Sequence, residues 1–204
     1  GDRAIPSRVM TGYRSQDLEA LEQMRGHGEM PTHCVLPAGG GSGGEAVCCY
    51  LTAALGKGAP KFIIVVPHQA SCSYRSAVAG DGKPHAVTGD LDTLMAGLAC
   101  GEANTIAYGI LRDYASAFVS CPDYVAARGM RVLSAPLKGD PRVVSGESGA
   151  VTLGLLTFIM QDGKLFGLRE ALGLNEDSTV LLFSTEGDTD LARYRSVVWD
   201  GEFP

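Results

Sequence analysis

The chain has 204 residues, of which 45% are hydrophobic and 20% charged, a composition that is typical of one globular domain and excludes a disordered chain. Its formal net charge of −6 argues against a nucleic-acid partner, because there is no basic surface to replace the counterions of phosphates. No stretch approaches about twenty apolar residues, and residues 1–10 lack the apolar core of a signal peptide, so we expect no membrane association and a cytoplasmic location.

Helical and strand-like segments alternate along the chain. The first helical pattern, at 15–28, has Ser15 as a candidate N-cap and Gly26 and Gly28 as candidate stops. The clearest strand, KFIIVVP at 61–67, is apolar and β-branched, as a parallel strand is when both of its faces are covered. In chain order the predicted elements are helix 15–28, strand 32–38, helix 46–55, strand 61–67, helix 89–100, strand 117–123, helix 123–136, helix 149–160, strand 179–185 and helix 188–201. This order predicts a single α/β unit over 1–204, built on an open, mostly parallel twisted sheet flanked by helices.

A glycine-rich loop follows the strand at 32–38 and precedes the helix at 46–55. It consists of Gly39, Gly40, Gly41, Ser42, Gly43 and Gly44. Glycines let the backbone approach a ligand closely and turn several N–H groups in one direction, and the N-terminus of the next helix adds positive potential. The loop therefore predicts an anion site best suited to a phosphate, in which Glu45 must point away from the anion. It is not a P-loop, because no Lys-Ser/Thr pair follows the glycines, and a flexible connection between strand and helix is the alternative.

The last predicted strand ends in two hydroxyl side chains, Ser184 and Thr185. Ligands of parallel α/β sheets bind beyond the carboxyl ends of the strands, where a hydroxyl can form a hydrogen bond to a ring nitrogen. The alternative is that both hydroxyls only cap the helix that follows. If one small ligand meets both the glycine loop and these hydroxyls, Ala38 and Thr185 must end neighbouring strands at the same edge of the sheet.

Together with the glycine loop, five segments resemble a known family, in order and without large gaps: 71–81, 93–104, 125–136, 140–151 and 183–202. They are similar to the C-terminal part of the tryptophan-synthase-β-like, fold type II enzymes that depend on pyridoxal 5′-phosphate (PLP), and within that group to the diaminopropionate ammonia-lyases. The resemblance implies that the PLP phosphate is held by Gly39, Gly40, Gly41, Ser42, Gly43 and Gly44. It also implies that Thr185, or Ser184 in its place, meets the pyridine nitrogen. Glu147 would lie beside the cofactor ring, with a simple helix N-terminal carboxylate as the alternative.

The lysines depart from the family pattern. In the family a lysine forms the Schiff base with PLP and acidic residues handle the substrate protons, and both belong to the N-terminal half. The lysines here lie in glycine- or proline-flanked segments or at the outer start of a strand: Lys57, Lys61, Lys83, Lys138 and Lys164. We therefore expect a C-terminal portion of a longer enzyme, without a catalytic residue of its own and inactive alone, with apolar surface exposed around 149–160 where the N-terminal half would pack.

The resemblance implies that the full enzyme is a homodimer that takes a small amino acid, 2,3-diaminopropionate, and converts it to pyruvate and ammonia by PLP-dependent α,β-elimination. Two alternatives stay open: a serine or threonine dehydratase with the same cofactor, and a non-catalytic module that binds a phosphorylated ligand. The 6 cysteines form no C-x-x-C pair and the 4 histidines are scattered, so we expect no metal site. Cys72 and Cys100 each belong to a segment of family resemblance, and we expect them to approach each other near the mouth of the site.

Overall fold

The computed structural model describes residues 18–26, 28–40 and 43–204. Residues 18–26 form helix α1, and the later helices are α2 Gly44–Leu55, α3 Cys72–Ala79, α4 Thr105–Tyr114, α5 Asp123–Ser134, α6 Glu147–Gln161, α7 Phe166–Leu172 and α8 Leu191–Val198. Single 3₁₀ turns lie at Gly56–Gly58, Ala96–Leu98 and Gly163–Leu165. The strands are β1 His33–Pro37, β2 Lys61–Pro67, β3 Ala115–Cys121 and β4 Val180–Leu182.

The strands form one parallel sheet in the order β3-β2-β1-β4. Side chains of a strand alternate between its two faces, and both faces of this sheet are covered. Val35 and Ile63 belong to a core shared with α5 and α6, whereas Leu36 and Ile64 belong to a second core shared with α2 and α4. This double coverage is why the run at 61–67 is apolar at nearly every position.

Helices α5 and α6 cross in direct backbone contact. A Cβ atom added at Gly129 would stand 1.9 Å from the carbonyl oxygen of Ala150, and one added at Gly154 would stand 1.9 Å from that of Val125. Only glycine fits at these two positions. The crossing fixes the position of α6, and the first turn of α6 forms part of the candidate site.

The predicted strands at 32–38 and 61–67 are confirmed, the strand predicted at 179–185 is present but spans only Val180–Leu182, and the strand predicted at 117–123 begins two residues earlier. The helices predicted at 46–55, 123–136, 149–160 and 188–201 are also present, although the last is shorter than predicted. The described part of the first predicted helix is helical, and Gly28 follows it with a positive φ of 72°, whereas Ser15 lies outside the described residues. The expected α/β architecture with a parallel sheet is therefore correct.

The helix predicted at 89–100 is wrong. Only Ala96–Leu98 forms a single 3₁₀ turn, and Leu91 has a positive φ of 50°. The carboxylate of Asp123 accepts hydrogen bonds from the Thr93 hydroxyl, at 2.5 Å, and from the Leu94 backbone N–H, at 3.0 Å. These tertiary hydrogen bonds hold the segment in an irregular path that still buries its apolar residues, so it matches helical spacing without forming a helix.

The expectation of exposed apolar surface around 149–160 is wrong for the face of that helix that packs against α5, whereas Leu153, Leu156 and Phe158 are only half-buried. Val151, Leu155 and Ile159 are at most 4% exposed and belong to the core shared with α5. The close crossing of the two helices provides this cover, while Met160 at the end of α6 is 36% exposed.

No single helix among the described residues is long and apolar enough to cross a membrane. Helix α6 and residues 163–172 are long and apolar enough only when they are taken together, and the chain bends by 92° between them.

Candidate functional site

A cavity of about 340 Å³ lies at the sheet edge where β1 and β4 end. Its walls come from the residues that follow these two strands, a short segment near the 3₁₀ turn at Ala96–Leu98, and the first turn of α6. The lining residues are Leu36, Pro37, Ala38, Gly39, Gly40, Gly43, Gly44, Val47, Gly97, Leu98, Cys100, Ser148, Phe183, Thr185 and Glu186. Since β1 and β4 are parallel neighbours, Ala38 and Thr185 share one edge of the sheet, as predicted. A mostly apolar cavity with a few polar groups suits a small-molecule ligand.

The glycine loop forms one wall of this cavity. Gly39, Gly40, Gly43 and Gly44 line it, whereas Gly41 and Ser42 lie outside the described residues. Helix α2 begins at Gly44, so the first N–H groups of the helix lack intrahelical partners at this wall. None of the lining residues named above is a lysine or an arginine. An anion here would therefore be held by backbone N–H groups and the positive end of the helix dipole.

The segment from Gly97 to Asn104 holds the start of the glycine loop in place. A Cβ atom at Gly39 would stand 2.9 Å from the Cα atom of Leu98, and one at Gly40 would stand 3.6 Å from the sulfur of Cys100. The backbone N–H of Asn104 donates to the Gly40 carbonyl oxygen at 3.0 Å. Position 39 thus requires glycine because two backbones touch there.

Glu45 points away from the cavity, as expected. It is 0% exposed and is not among the lining residues, and neither carboxyl oxygen has a hydrogen-bond partner among the described residues. Burial raises the pKa of this carboxyl from 4.5 to about 8. Glu45 is therefore mostly neutral at pH 7 and places little negative charge at the N-terminus of α2.

The two hydroxyl side chains after β4 have different surroundings. Thr185 lines the cavity and is exposed. Ser184 does not line it; its hydroxyl donates to the hydroxyl of Ser145 at 2.9 Å. The structure therefore favours Thr185 over Ser184 as the group that meets a ligand.

Glu147 is the first residue of α6 and is half-buried, but it is not among the residues that line the cavity. Burial raises its pKa, and the negative charges of Glu186 and Asp190 raise it further. The neighbouring Ser148 lines the cavity instead.

Sequence reasoning assigned no individual role to Gly97, Leu98, Ser148 and Glu186, which line the cavity. All of them lie inside the segments at 93–104, 140–151 and 183–202 that resemble the family. The family resemblance therefore identified these segments as important but not the individual residues that line the cavity. Ser148 is 3% exposed, and its hydroxyl oxygen has no hydrogen-bond partner among the described residues. Such a buried hydroxyl at a cavity wall is a group that a ligand can satisfy.

No lysine reaches this cavity. All five lysines are exposed, and none lines it: Lys57, Lys61, Lys83, Lys138 and Lys164. Lys61, for example, begins β2 at the opposite edge of the sheet, where its Nζ donates to the carbonyl oxygen of Leu172 at 2.8 Å.

Cys72 and Cys100 both lie at the glycine loop, and their expected approach to each other stays a prediction. The thiol of Cys72 is 3.9 Å from the Gly39 carbonyl oxygen, and Cys100 lines the cavity. Burial raises the pKa of the Cys72 thiol, and the proximity of the Cys100 side chain raises it further. Both residues are thiols, without a disulfide. Within the described part of the chain, no three His, Cys, Asp or Glu side chains are grouped so that they could hold a metal ion.

Comparison with known protein families matches residues 5–185 to the family described as "Pyridoxal-phosphate dependent enzyme". The chain belongs to this PLP-dependent enzyme family. Across 202 residues, this member of the PLP-dependent family is 49% identical to diaminopropionate ammonia-lyase from Escherichia coli strain K12, covering 99% of this chain and 50% of that protein. The chain thus spans about half the length of the curated relatives it matches.

Solved structures agree with this assignment to the PLP-dependent family. Diaminopropionate ammonia-lyase from Escherichia coli, in complex with an aminoacrylate–PLP azomethine intermediate, matches with a TM-score of 0.91 at 47% identity, covering 100% of this chain and 51% of that chain. The processed form of threonine deaminase isoform 2 from Solanum lycopersicum matches with a TM-score of 0.71 at 14% identity, covering 92% of this chain and 48% of that chain. The second likeness shows a shared fold alone.

Proposed function

We propose that this chain is the C-terminal, cofactor-binding portion of a PLP-dependent ammonia-lyase that converts 2,3-diaminopropionate to pyruvate and ammonia. The observation that carries the proposal is that the glycine loop and Thr185 meet in one cavity at one edge of the sheet. The identity of 49% with a diaminopropionate ammonia-lyase favours this substrate over serine or threonine.

The glycine loop would hold the cofactor phosphate. Its described members line the cavity beside the N-terminus of α2, and backbone N–H groups are the donors available at that wall. In this proposal Gly41 and Ser42 complete the loop. The burial and raised pKa of Glu45 support phosphate binding, because a mostly neutral carboxyl does not repel an anion strongly.

Thr185 would meet the pyridine nitrogen, at the other wall of the cavity. PLP, when bound, supplies an electron sink that stabilises negative charge at the substrate Cα atom. A neutral hydroxyl can form a hydrogen bond to the ring nitrogen without stabilising an extra proton on that nitrogen. A carboxylate in the same place would stabilise the protonated ring nitrogen. The buried hydroxyl of Ser148 offers one more polar contact, and Glu147, the preceding residue of α6, would be a less direct neighbour of the cofactor ring.

The lysine that tethers PLP would come from outside this chain, since every lysine here is exposed and none lines the cavity. We place it, together with the acidic residues that handle substrate protons, in the N-terminal half of a full enzyme about twice this length. The homodimer and the cytoplasmic location implied by the family resemblance belong to the same proposal.

The experiment compares the isolated chain with the full-length enzyme. After incubation with PLP and reduction with borohydride, mass spectrometry should find a pyridoxyl group on one lysine of the full enzyme and on none of the five lysines of the isolated chain. A single modified lysine in the isolated chain would refute this division of roles. Pyruvate release from serine or threonine but not from diaminopropionate would instead favour a dehydratase.

A substitution tests the ring-nitrogen contact. In the full-length enzyme, Thr185→Val removes the hydroxyl at nearly constant volume, and the PLP dissociation constant should rise by about fivefold, as expected for one lost hydrogen bond. Thr88→Val, at an exposed threonine outside the cavity, is the matched control and should leave the constant unchanged. Equal PLP affinity in the Thr185 variant and the control would contradict the contact.

A further inference from the structure

The first turn of α6 is capped by a side chain from a distant part of the sequence. Its N-cap residue is Gly146, which has no side chain to accept from the free N–H groups of the helix. Instead, the Glu186 carboxylate accepts a hydrogen bond from the backbone N–H of Ser148 at 2.7 Å. The Glu186 carbonyl oxygen accepts a second one from the N–H of Gly146 at 3.0 Å. A carboxylate at this end of a helix is also favoured by the helix dipole.

The same contacts fix the backbone of Thr185. A Cβ atom at Gly149 would stand 2.9 Å from the backbone nitrogen of Thr185, and one at Gly146 would stand 2.6 Å from the Cγ atom of Glu186. The residues after β4 therefore lie directly on the first turn of α6. The side chain of Thr185 is exposed, so its place at the cavity wall depends on where this contact holds the backbone of Thr185 and not on packing around the side chain.

We propose that Glu186 is a positioning residue for Thr185: by capping α6 it holds the backbone that aims the Thr185 hydroxyl into the cavity. This inference rests on the proposed function, in which that hydroxyl meets the cofactor ring nitrogen. Glu186 lines the cavity as well, but its carboxylate is engaged by the N–H of Ser148. Its contribution to cofactor binding thus passes through Thr185.

The test is a double-mutant cycle in the full-length enzyme, read as the PLP dissociation constant. Glu186→Ala should weaken PLP binding by about fivefold, as Thr185→Val does. In the Thr185→Val background, Glu186→Ala should have no further effect, because the residue through which it acts has already lost its hydroxyl. Glu186→Gln should restore most of the affinity, since an amide oxygen can still accept from the Ser148 N–H.

Asp190→Ala provides the matched control. The Asp190 carboxylate caps α8 by accepting from the N–H of Arg193 at 3.0 Å, but Asp190 does not line the cavity. This variant should lower the urea midpoint, as the loss of a helix cap does, and leave the PLP dissociation constant unchanged. If Glu186→Ala does not fold, Glu186→Asp is tested in its place. The aspartate side chain is shorter by one methylene, so its carboxylate should not reach the Ser148 N–H, and this variant should weaken PLP binding in the same way.

Each outcome decides between the two proposals. Weaker binding in Thr185→Val with unchanged binding in Glu186→Ala would overturn the positioning role and leave the ring-nitrogen contact intact. Effects of the two substitutions that multiply in the double variant would also overturn it, as would a Glu186→Gln variant as weak as Glu186→Ala. Unchanged binding in Thr185→Val would overturn the ring-nitrogen contact, and this inference with it.

Discussion

Glu45 should make the stability of this chain depend on pH. Its carboxyl is fully buried in the first turn of α2 and has no hydrogen-bond partner among the described residues. Glu45→Gln keeps the shape of the side chain and removes the titration, so the two proteins should differ in how their stability responds to pH.

The direction and size of this pH dependence follow from the raised pKa of Glu45. Below about pH 4.5 the carboxyl is protonated in both the folded and the unfolded chain. Between 4.5 and about 8 the unfolded chain has released the proton and the folded chain has kept it, so the free energy of unfolding falls as pH rises. The slope is about 1.4 kcal/mol per pH unit and flattens above the folded-state pKa. From about pH 6 to about pH 8 the loss is about 2 kcal/mol.

Urea denaturation of the chain at these two pH values, followed by circular dichroism, measures the difference. The original chain should lose about 2 kcal/mol more than Glu45→Gln does over this interval. Glu176→Gln, at an exposed glutamate, is the matched control and should behave as the original chain. Equal pH dependence in the original chain and Glu45→Gln would refute the reasoning and show that the carboxylate is solvated or paired at neutral pH.

Two further predictions concern packing and thiol reactivity. Gly129→Ala should lower the free energy of unfolding by roughly 3 kcal/mol or more, because its Cβ atom would overlap the Ala150 carbonyl oxygen. Gly109→Ala, where a Cβ atom would have nothing within 4 Å, is the control and should not destabilise α4. Urea denaturation compares the two variants, and equal stabilities would contradict the close crossing of α5 and α6. Cys121 is 2% exposed and burial raises its pKa to about 12, so iodoacetamide should modify it only after unfolding, while Cys100 reacts in the folded chain. Mass spectrometry follows both sites, and equal rates in the native chain would contradict the burial of Cys121.

Local patterns were enough to predict the sheet and the loop beside it. The run at 61–67 by itself predicts a strand with both faces buried. The glycines after 32–38 predict a loop whose backbone can approach a ligand closely. The segment at 89–100 could not be predicted in the same way. Its path depends on the carboxylate of Asp123, a residue of another element, which captures the Thr93 hydroxyl and the Leu94 N–H.

The same limit applies to individual site residues. Glu147 and Ser148 are adjacent at the start of a helix, where successive side chains point about 100° apart, so only one of the two faces the cavity. Which one does so depends on how α6 docks against Glu186, far along the sequence. Helix α4 was not predicted from the sequence, although the sequence carries a clear signal for its start. That signal is Asn104, a favoured N-cap residue, whose side chain accepts from the N–H groups of Ile106 and Ala107.

The contact between α5 and α6 has a mechanical consequence. With a glycine at each side of the crossing, backbone lies against backbone, and no flexible side chain is present there to absorb a displacement. We therefore expect the two helices to move together as one rigid unit. Arg131 of α5 donates to the carbonyl oxygen of Val197 at 3.0 Å and to that of Phe203 at 3.1 Å. A shift of the first turn of α6 when a ligand enters the cavity would thus be transmitted through α5 to the last residues of the chain.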